Sequence, residues 1–324
     1  MSSAPPTTAT SAIASPASHD DRHATRTSVR GPAVRADEHR DLALNPRAVH
    51  FDWSRLPMHW VPEEPMATHT MNVLHLLLPE GERWFVRTFQ EALPLITDEQ
   101  LREDVIGFIG QESVHAEAHQ GVLDLLLAKG LDPAPYVRQV EWLFHRILGG
   151  RDDLTGAAGR EHLVERVAII AAIEHFTAFL GDWVLNAPGL DRAAVDPTML
   201  DLLRWHGAEE VEHRSVAYDL LIHLDPGYLR RMRTMAGTGP VLIWLWVRGV
   251  RFLMLTDPEL AGRGKPRWRD YVQTSRRGLL PGLTAAARSA ARYVKPRYHP
   301  TQEGSTRQAV AYLARSPAAR AAAR

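Results

Sequence analysis

Apolar residues recur every three or four positions through four long segments of the chain, with polar residues between them. This 3.6-residue period predicts α-helices, and no stretch shows the strict alternation typical of a half-buried strand. The predicted helices cover residues 79–93, 99–130, 160–186 and 196–225. The first begins at Pro79, or at Met71 with Pro79 as a kink inside it.

The rest of the chain adds shorter helical stretches to these four. One is expected near residues 135–148, and two more lie on either side of the turn-rich stretch TDPELAGRGKP. The segment before the first helix is rich in proline and aromatic residues, so we expect an irregular lead-in that packs on the domain. The pattern predicts an all-α helical domain at 46–300, a disordered Ser/Thr/Ala/Pro-rich tail at 1–45 and a basic Ala/Arg-rich tail at 301–324.

Composition limits the functions open to this chain. Lysine plus arginine and aspartate plus glutamate number 38 each, so no net charge attracts nucleic acid. Cysteine is absent, which excludes thiolate ligands and is typical of a reducing compartment. The N-terminal stretch lacks the apolar core of a signal peptide. These features predict a cytoplasmic protein without a nucleic-acid partner, in which any metal is held by nitrogen and oxygen atoms.

The last long helix carries the stretch WHGAEEVEHRS, which is crowded with titratable side chains. At 100° per residue, His206, Glu210 and His213 fall within a sector of about 60°. Glu212 points to the opposite side, which we expect to face water, and Glu209 lies on the flank. Three side chains that can bind a metal therefore share one face of this helix.

The second long helix shows the same arrangement in QESVHAEAHQ, where Glu112, His115 and His119 fall within about 60° of one another. The first and third helices each place one glutamate inside an apolar stripe, Glu82 and Glu174. A buried carboxylate without a partner is costly or takes up a proton, so a chain that tolerates one usually supplies a cation. The order Glu, Glu-x-x-His, Glu, Glu-x-x-His over four helices therefore predicts a dinuclear metal site.

The predicted ligands are Glu82, Glu112, His115, Glu174, Glu210 and His213. His119 and His206 are each a further ligand or a partner that orients one. His175 and Glu209 lie beside ligands in sequence but off their face, and they are candidates for an additional ligand or for a group that orients one. Imidazole nitrogen favours transition metals, so two iron ions are expected, with manganese, a mixed Mn/Fe pair or zinc as alternatives.

Several motifs resemble a known family. The stretches LPEGERWF, QESVHAEAH, AAIEHFTA, WHGAEEVEHRSVAYDL and YHP are similar, in this order, to the bacterial family named predicted metal-dependent hydrolase, over about residues 45–300. The ligand order also resembles that of ferritin-like di-iron oxygenases. That resemblance implies a ferritin-like four-helix bundle with additional C-terminal helices.

Within those oxygenases, the spacing His-x3-Glu-x2-His on the last long helix is similar to p-aminobenzoate N-oxygenase. This resemblance implies seven ligands, namely Glu82, Glu112, His115, Glu174, His206, Glu210 and His213. It gives His119 no role, and it does not identify a substrate.

The leading hypothesis is a non-haem dinuclear iron oxidase or oxygenase, with O2 and a small apolar or aromatic molecule as its substrates. The alternatives are a hydrolase in which the metal pair activates water, and a non-catalytic iron-binding protein. The apolar run at residues 241–255 contains Arg248 and Arg251 and is shorter than the ~20 residues that span a bilayer. We expect it to be buried, to form a homodimer interface, or to lie on a membrane surface.

Overall fold

A computed structural model describes residues 43–324, and this part of the chain is all-α, as the apolar periodicity predicts. Apart from its last three residues, the predicted tail at 1–45 lies outside the described residues. The chain enters the description at residue 43 as an irregular segment, which reaches the first helix at Pro65.

Twelve α-helices are numbered here in chain order within residues 43–324. They are α1 (Pro65–Ala92), α2 (Glu99–Ala128), α3 (Ala134–Trp142), α4 (Gly156–Leu185), α5 (Pro188–Arg192), α6 (Pro197–His213), α7 (Val216–Leu224), α8 (Tyr228–Thr256), α9 (Trp268–Arg276), α10 (Leu283–Tyr293), α11 (Thr306–Leu313) and α12 (Pro317–Ala322). A π-helical turn, Leu143–Ile147, follows α3, and short 3-10 turns lie at Leu93–Leu95, Pro258–Leu260 and Pro300–Gln302.

The ends of the long helices follow from local chemistry. The Asp98 carboxylate accepts a hydrogen bond from the backbone N–H of Leu101 at 3.0 Å and so caps α2. Just beyond the end of α2, Gly130 has a φ of +89°, a conformation that glycine adopts without strain. Asp196 caps α6 in the same way, and Pro197 occupies its first turn. These boundaries agree with the predicted ones.

The first helix is longer than either predicted start allows. It begins at Pro65, so Pro79 lies inside α1 rather than at its first turn. Proline has no N–H to donate, so the carbonyl of His75, four residues earlier, loses its usual helical partner. Of the two predicted alternatives, the internal position of Pro79 is the one observed.

The four helices that carry the predicted ligands pack as two pairs. Helix α1 packs against α2, and α4 packs against α6, while further contacts join α1 to α4 and α2 to α6. A large apolar cluster packs between these helices and includes Phe85, Phe89, Phe108 and Val167. The inward faces of all four helices therefore meet in one interior.

Two glycines set the distance between α4 and α6. A Cβ atom on Gly181 would lie 2.4 Å from the carbonyl oxygen of Gly207, and one on Gly207 would lie 2.8 Å from the Cα of Gly181. No other residue fits at either position without separating the two backbones. This close approach brings Glu174 on α4 near the ligand face of α6.

The single helix predicted over residues 196–225 is broken in two. Helix α6 ends at His213 and α7 begins at Val216. At the break, the buried guanidinium of Arg214 donates to the backbone carbonyls of Val211 and, at 3.2 Å, of Pro300. The arginine thus satisfies backbone groups that the interrupted helix leaves open.

The C-terminal residues, predicted as a basic tail at 301–324, form α11 and α12, which pack against α6. The Asp201 carboxylate on α6 accepts hydrogen bonds from the Tyr312 hydroxyl at 2.8 Å and from the backbone N–H of Ala318 at 3.0 Å. Alanine and arginine dominate the composition of this segment, while Tyr312 and Leu313 supply its apolar contacts.

Helix α8 lies on the outside of the domain. Ile243, Trp244 and Val247 are about half exposed, and the Arg248 guanidinium lies 4.5 Å from the ring centre of Trp244. Among the described helices, α8 is the one long and apolar enough to cross a membrane, which by itself is weak evidence of a span. Its expected roles at a membrane surface or in a homodimer remain predictions, as does the cytoplasmic location.

Candidate metal centre

The structure brings the six predicted ligands and His206 into one interior site, and each of these seven residues is at most 5% exposed. Helix α1 contributes one carboxylate, α2 a carboxylate and an imidazole, α4 one carboxylate, and α6 a carboxylate and two imidazoles. In that order they are Glu82, Glu112, His115, Glu174, Glu210, His206 and His213. Their donor atoms fall into two overlapping groups.

The first group surrounds Glu82. The His206 Nε2 atom lies 3.6 Å from Glu82 Oε1 and 2.7 Å from Glu210 Oε1. The His115 Nδ1 atom lies 3.6 Å from Glu112 Oε1 and 3.7 Å from Glu210 Oε1. Two imidazoles and three carboxylates therefore point at the same small volume.

The second group surrounds His213. Its Nε2 atom lies 3.5 Å from Glu112 Oε1, 3.7 Å from Glu174 Oε2 and 3.4 Å from Glu210 Oε2. Glu112 and Glu210 thus belong to both groups, whereas Glu82 and Glu174 each belong to one. If two ions were bound, Glu112 and Glu210 would be available to both of them, and Glu82 and Glu174 would each serve one.

The hydrogen-bond state of these atoms tests whether the residues fit a metal pair. Both carboxylate oxygens of Glu82, Glu112 and Glu174 are buried without a hydrogen-bond partner. Glu210 Oε2, His115 Nδ1 and His213 Nε2 are also buried and unpartnered. Buried polar atoms normally have partners, and here so many point at one another that cations satisfy them best. The residues therefore fit two divalent ions.

The pKa shifts of the buried carboxyl groups also indicate that the site fits two divalent ions. Burial and the Glu112 charge raise the pKa of Glu82 well above its usual range, and burial together with the Glu210 charge does the same to Glu174. Burial also disfavours ionisation of Glu210, but His213 and His206 outweigh it and hold the Glu210 pKa well below its usual range. Without metal, the site therefore keeps protons on some carboxyl groups, whereas two divalent ions would balance the four carboxylates formally.

The far side of α6 is buried, so the expectation that it faces water was wrong. The Arg47 guanidinium, on the segment before α1, donates to Glu209 at 2.6 Å and to Glu212 at 2.9 and 3.1 Å. Both glutamates are at most 2% exposed. A buried ion cluster, rather than solvent, therefore accounts for the acidic residues on this side of the helix.

Glu209 acts on a predicted ligand through this cluster. Its Oε2 accepts a hydrogen bond from His115 Nε2–H at 2.9 Å, and its Oε1 accepts from Trp205 Nε1–H at 3.1 Å. With the proton on Nε2, His115 would offer the Nδ1 lone pair to a metal ion bound among the carboxylates. A histidine held by a carboxylate in this way is fixed in tautomer and orientation for binding a metal.

His119 lies beside His206 and contacts a third imidazole. His119 Nε2 lies 3.0 Å from His206 Nδ1, and His119 Nδ1 lies 2.7 Å from His75 Nδ1. If His206 binds a metal through Nε2, its Nδ1–H donates to His119, and His119 in turn donates from Nδ1 to His75. Burial lowers the pKa of His75 to about 3, and burial with the His206 charge lowers that of His119, so both rings are neutral.

His175 is not brought into the ligand groups. Its Nδ1 lies 2.7 Å from the Tyr298 hydroxyl, and its Nε2 lies 3.0 Å from the Ser289 hydroxyl on α10. Burial lowers its pKa to about 4, so the ring is neutral. Its hydrogen bonds fasten α10 and the C-terminal segment at Tyr298 to α4.

Two residues of this site were not predicted. His75 precedes Glu82 by seven positions, and His119 follows Glu112 by seven, so each lies about 20° from its glutamate on the helical wheel. Because α1 and α2 run in opposite directions, these offsets bring the two histidines to the same level. The other missed residue, Arg47, lies in an irregular segment where no periodicity locates it.

The sequence of the chain matches a known protein family. The family described as predicted metal-dependent hydrolase matches residues 45–304, which is more than three quarters of the 324-residue chain. The chain belongs to this family. No curated protein and no solved structure is significantly similar to the chain. The family therefore supports metal-dependent chemistry, while the ferritin-like assignment and the identity of the metal remain predictions.

Proposed function

We propose that the protein is a hydrolase that uses a pair of divalent metal ions. One observation carries the proposal: buried carboxylate and imidazole atoms, most of them without a hydrogen-bond partner, form two overlapping groups that share Glu112 and Glu210. The family description favours hydrolysis over the oxidase that the ligand order first suggested. Zinc and manganese are the expected ions, and iron is the alternative.

The first ion would be held by Glu82, His115 and His206, and the second by Glu174 and His213, with Glu112 and Glu210 between them. Two ions bound there supply Lewis acidity, which lowers the pKa of water and polarises the electrophilic group of a substrate. The chain provides two imidazoles on the Glu82 side and one on the Glu174 side. We therefore expect water and substrate to bind on the Glu174 side, where fewer protein atoms compete.

The surrounding residues prepare this site rather than react. With metal bound, Glu209 would keep the proton of His115 on Nε2 and His119 would accept the Nδ1 proton of His206, so both rings would present a lone pair to the ion. The Phe108 ring centre lies 4.8 Å from that of His213, and Trp205 contacts His115 edge-on at 5.1 Å. This apolar lining excludes bulk water and favours an apolar or aromatic substrate.

The positions of the arginine and lysine side chains limit the class of substrate further. Arg83 follows Glu82 in sequence but donates to Glu80 at 2.8 Å, and Arg214 follows His213 but donates to backbone carbonyls. Arg47 is occupied by Glu209 and Glu212. Among residues 43–324, no arginine or lysine donates a hydrogen bond to the seven ligands, so a neutral ester or amide suits the site better than a phosphate.

The test is anaerobic turnover by protein loaded with Zn²⁺ or Mn²⁺ after chelator treatment. A panel of aryl and alkyl esters, anilides and phosphoesters would be compared, with Glu112→Gln as the variant that removes a shared carboxylate. We expect metal-dependent hydrolysis of apolar esters or amides without O2, and loss of that activity in E112Q. Tight binding of two ions with no hydrolysis of any panel member would refute the proposal.

Dinuclear oxidation is the second candidate, and the donor set favours it. Four glutamates and three imidazoles from four helices form a carboxylate-rich set that suits iron as well as zinc. In that case O2 and an apolar or aromatic molecule would be the substrates. Substrate-dependent O2 uptake after anaerobic loading with Fe²⁺ would support oxidation, and stoichiometric iron binding without turnover would support the non-catalytic alternative.

A further inference from the structure

A second group of metal-binding side chains lies outside the site of the four glutamates. His59 belongs to the segment before α1, His69 lies in the second turn of α1, and Asp257 directly follows α8. The Asp257 Oδ2 atom lies 2.6 Å from His59 Nε2 and 2.7 Å from His69 Nε2. His69 and Asp257 are at most 3% exposed, whereas the side chain of His59 is 17% exposed.

We propose that His59, His69 and Asp257 bind one Zn²⁺ ion, which fastens the segment before α1 to α1 and to the end of α8. Two imidazole nitrogens and one carboxylate oxygen are a ligand set that zinc accepts, with water in the fourth position. The exposed edge of His59 gives the ion and that water a route from solvent. The three ligands come from parts of the chain up to 198 positions apart, so an ion here would act as a cross-link.

The donor atoms are near the separation that zinc requires. Bonds of about 2.0–2.1 Å in a tetrahedron place neighbouring donors about 3.3 Å apart. The observed nitrogen to oxygen distances of 2.6 and 2.7 Å are therefore about 0.6 Å too short. His59 can supply the movement because it is partly exposed and lies in an irregular segment, whereas Asp257 is held by the backbone N–H of Glu259 at 2.7 Å.

The outer contact of His59 favours metal binding, whereas the outer contact of His69 opposes it. His59 Nδ1 lies 3.5 Å from Glu259 Oε2, and a carboxylate there keeps the proton on Nδ1 and frees Nε2 for a metal. His69 Nδ1 lies 3.4 Å from Asn72 Nδ2, an amide donor whose orientation is fixed because Asn72 Oδ1 accepts from Trp60 Nε1–H at 2.8 Å.

Metal binding at His69 Nε2 therefore moves a proton to Nδ1 and removes the hydrogen bond from Asn72. That bond is at the upper limit of hydrogen-bond length and is weak, so the bonds to the ion outweigh its loss. The competing explanation is that the three side chains are only hydrogen-bonded, with both imidazoles donating to Asp257. Because the Asn72 contact opposes metal binding, a substitution of Asn72 provides a variant that should bind zinc more tightly, whereas substitutions of the ligands should weaken binding.

The experiment counts ions while keeping the two sites separate. Chelator-treated protein would be equilibrated with Zn²⁺, freed of excess by gel filtration and analysed for metal per chain, for wild type, Asp257→Asn, His59→Gln and Glu112→Gln. We expect D257N and H59Q each to lose one ion relative to wild type and to keep the metal content of the four-glutamate site. E112Q should keep the ion at Asp257, so failure of the proposed function would leave this result unchanged.

A second measurement identifies the ligands of that ion. Co²⁺ substituted into E112Q should give the visible absorption of a tetrahedral ion with nitrogen and oxygen ligands, and this absorption should be absent from a D257N/E112Q double variant. Asn72→Asp, which can accept from both Trp60 and His69, should bind Zn²⁺ more tightly than wild type. Circular dichroism would confirm that each variant is folded. Equal zinc content in folded wild type and D257N would overturn the proposal in favour of a purely hydrogen-bonded cluster.

Discussion

Replacing Glu209 with glutamine tests whether the buried ion cluster controls the metal centre. Glu209 Oε2 accepts from His115 Nε2–H at 2.9 Å, and Oε1 accepts from Arg47 at 2.6 Å and from Trp205 at 3.1 Å. Glutamine has nearly the same volume, so the substitution removes the charge without opening a cavity. The carboxylate is fully buried, and therefore solvent screening does not reduce the effect on His115.

The size of the effect follows from the lost hydrogen bond. A hydrogen bond to a charged group contributes about 1.5–3 kcal/mol, and about 1.4 kcal/mol corresponds to a tenfold change in affinity. Complete loss would weaken metal binding by about 10–100-fold, which is the usual range for groups that orient a metal ligand. Because the glutamine oxygen can still accept one hydrogen bond from His115, we expect the lower end, about tenfold.

Glu212→Gln is the matched control, because Glu212 is on the same helix and shares the same arginine. It accepts from Arg47 at 2.9 and 3.1 Å and from Gln111 at 3.2 Å, and it contacts no predicted ligand. Both variants remove one buried charge paired with Arg47, so both should lower the free energy of unfolding. Only E209Q should also weaken metal binding.

Affinity would be measured by competing each variant against a chromophoric chelator for Zn²⁺ and Mn²⁺, with urea unfolding of the metal-free proteins alongside. An affinity in E209Q equal to that of wild type, or losses of the same size in E209Q and E212Q, would refute the orienting role of Glu209. Equal losses would mean that general destabilisation, rather than the position of His115, sets the affinity.

Three further predictions concern helix contact, protons and the outer surface. Gly207→Ala should destabilise the protein by about 1–3 kcal/mol through overpacking, and it should also weaken metal binding. Gly237→Ala is the control, because its Cβ would have no neighbour within 4 Å, and it should be neutral or slightly stabilising. Urea unfolding and metal titration of both variants test this prediction. Glu82 and Glu174 have raised pKa values when metal-free, so their contribution to stability is full below about pH 4.5 and is lost as the pH rises through the folded-state pKa. Metal binding near pH 6 should therefore release protons, and calorimetry in buffers of different ionisation enthalpy should show fewer released by Glu82→Gln; equal release would contradict this assignment. Trp244→Glu should abolish co-sedimentation with anionic phospholipid vesicles if α8 lies on membranes, whereas wild type that stays in the supernatant would count against membrane contact.

The grouping of the candidate ligands was predictable from sequence because these residues follow the helical period. Glu112 with His115, and Glu210 with His213, are separated by one turn, and the structure places each pair on an inward face. Glu82 was found because a carboxylate interrupts an apolar stripe. Periodicity reports which face of a helix a residue occupies, and in a bundle of long helices that is enough to bring distant residues together.

Other features depend on contacts that periodicity does not encode. Arg47 lies in an irregular segment without apolar periodicity, yet its guanidinium pairs with Glu209 and Glu212 on the far side of α6, which is buried rather than exposed to solvent. The break after His213 depends on the Arg214 guanidinium and on a carbonyl from Pro300, 86 positions away. Asp257 likewise contacts His59 and His69 only because α8 packs against α1. In each case a polar group finds its partner through tertiary packing, which the local pattern does not record.

The buried charges connect the fold of this protein to its chemistry. Helices α4 and α6 approach closely at Gly181 and Gly207, and Glu174 on α4 and Glu210 on α6 both lie near His213 Nε2, at 3.7 and 3.4 Å. Without metal, that proximity is relieved by protonation, because burial and neighbouring charge raise the pKa of Glu174. A bundle that relaxed more easily would separate the carboxylates instead, and it would then bind metal weakly. We therefore expect the close glycine contact to favour the binding of two cations, and a small change at Gly207, which is not a predicted ligand, should alter metal binding.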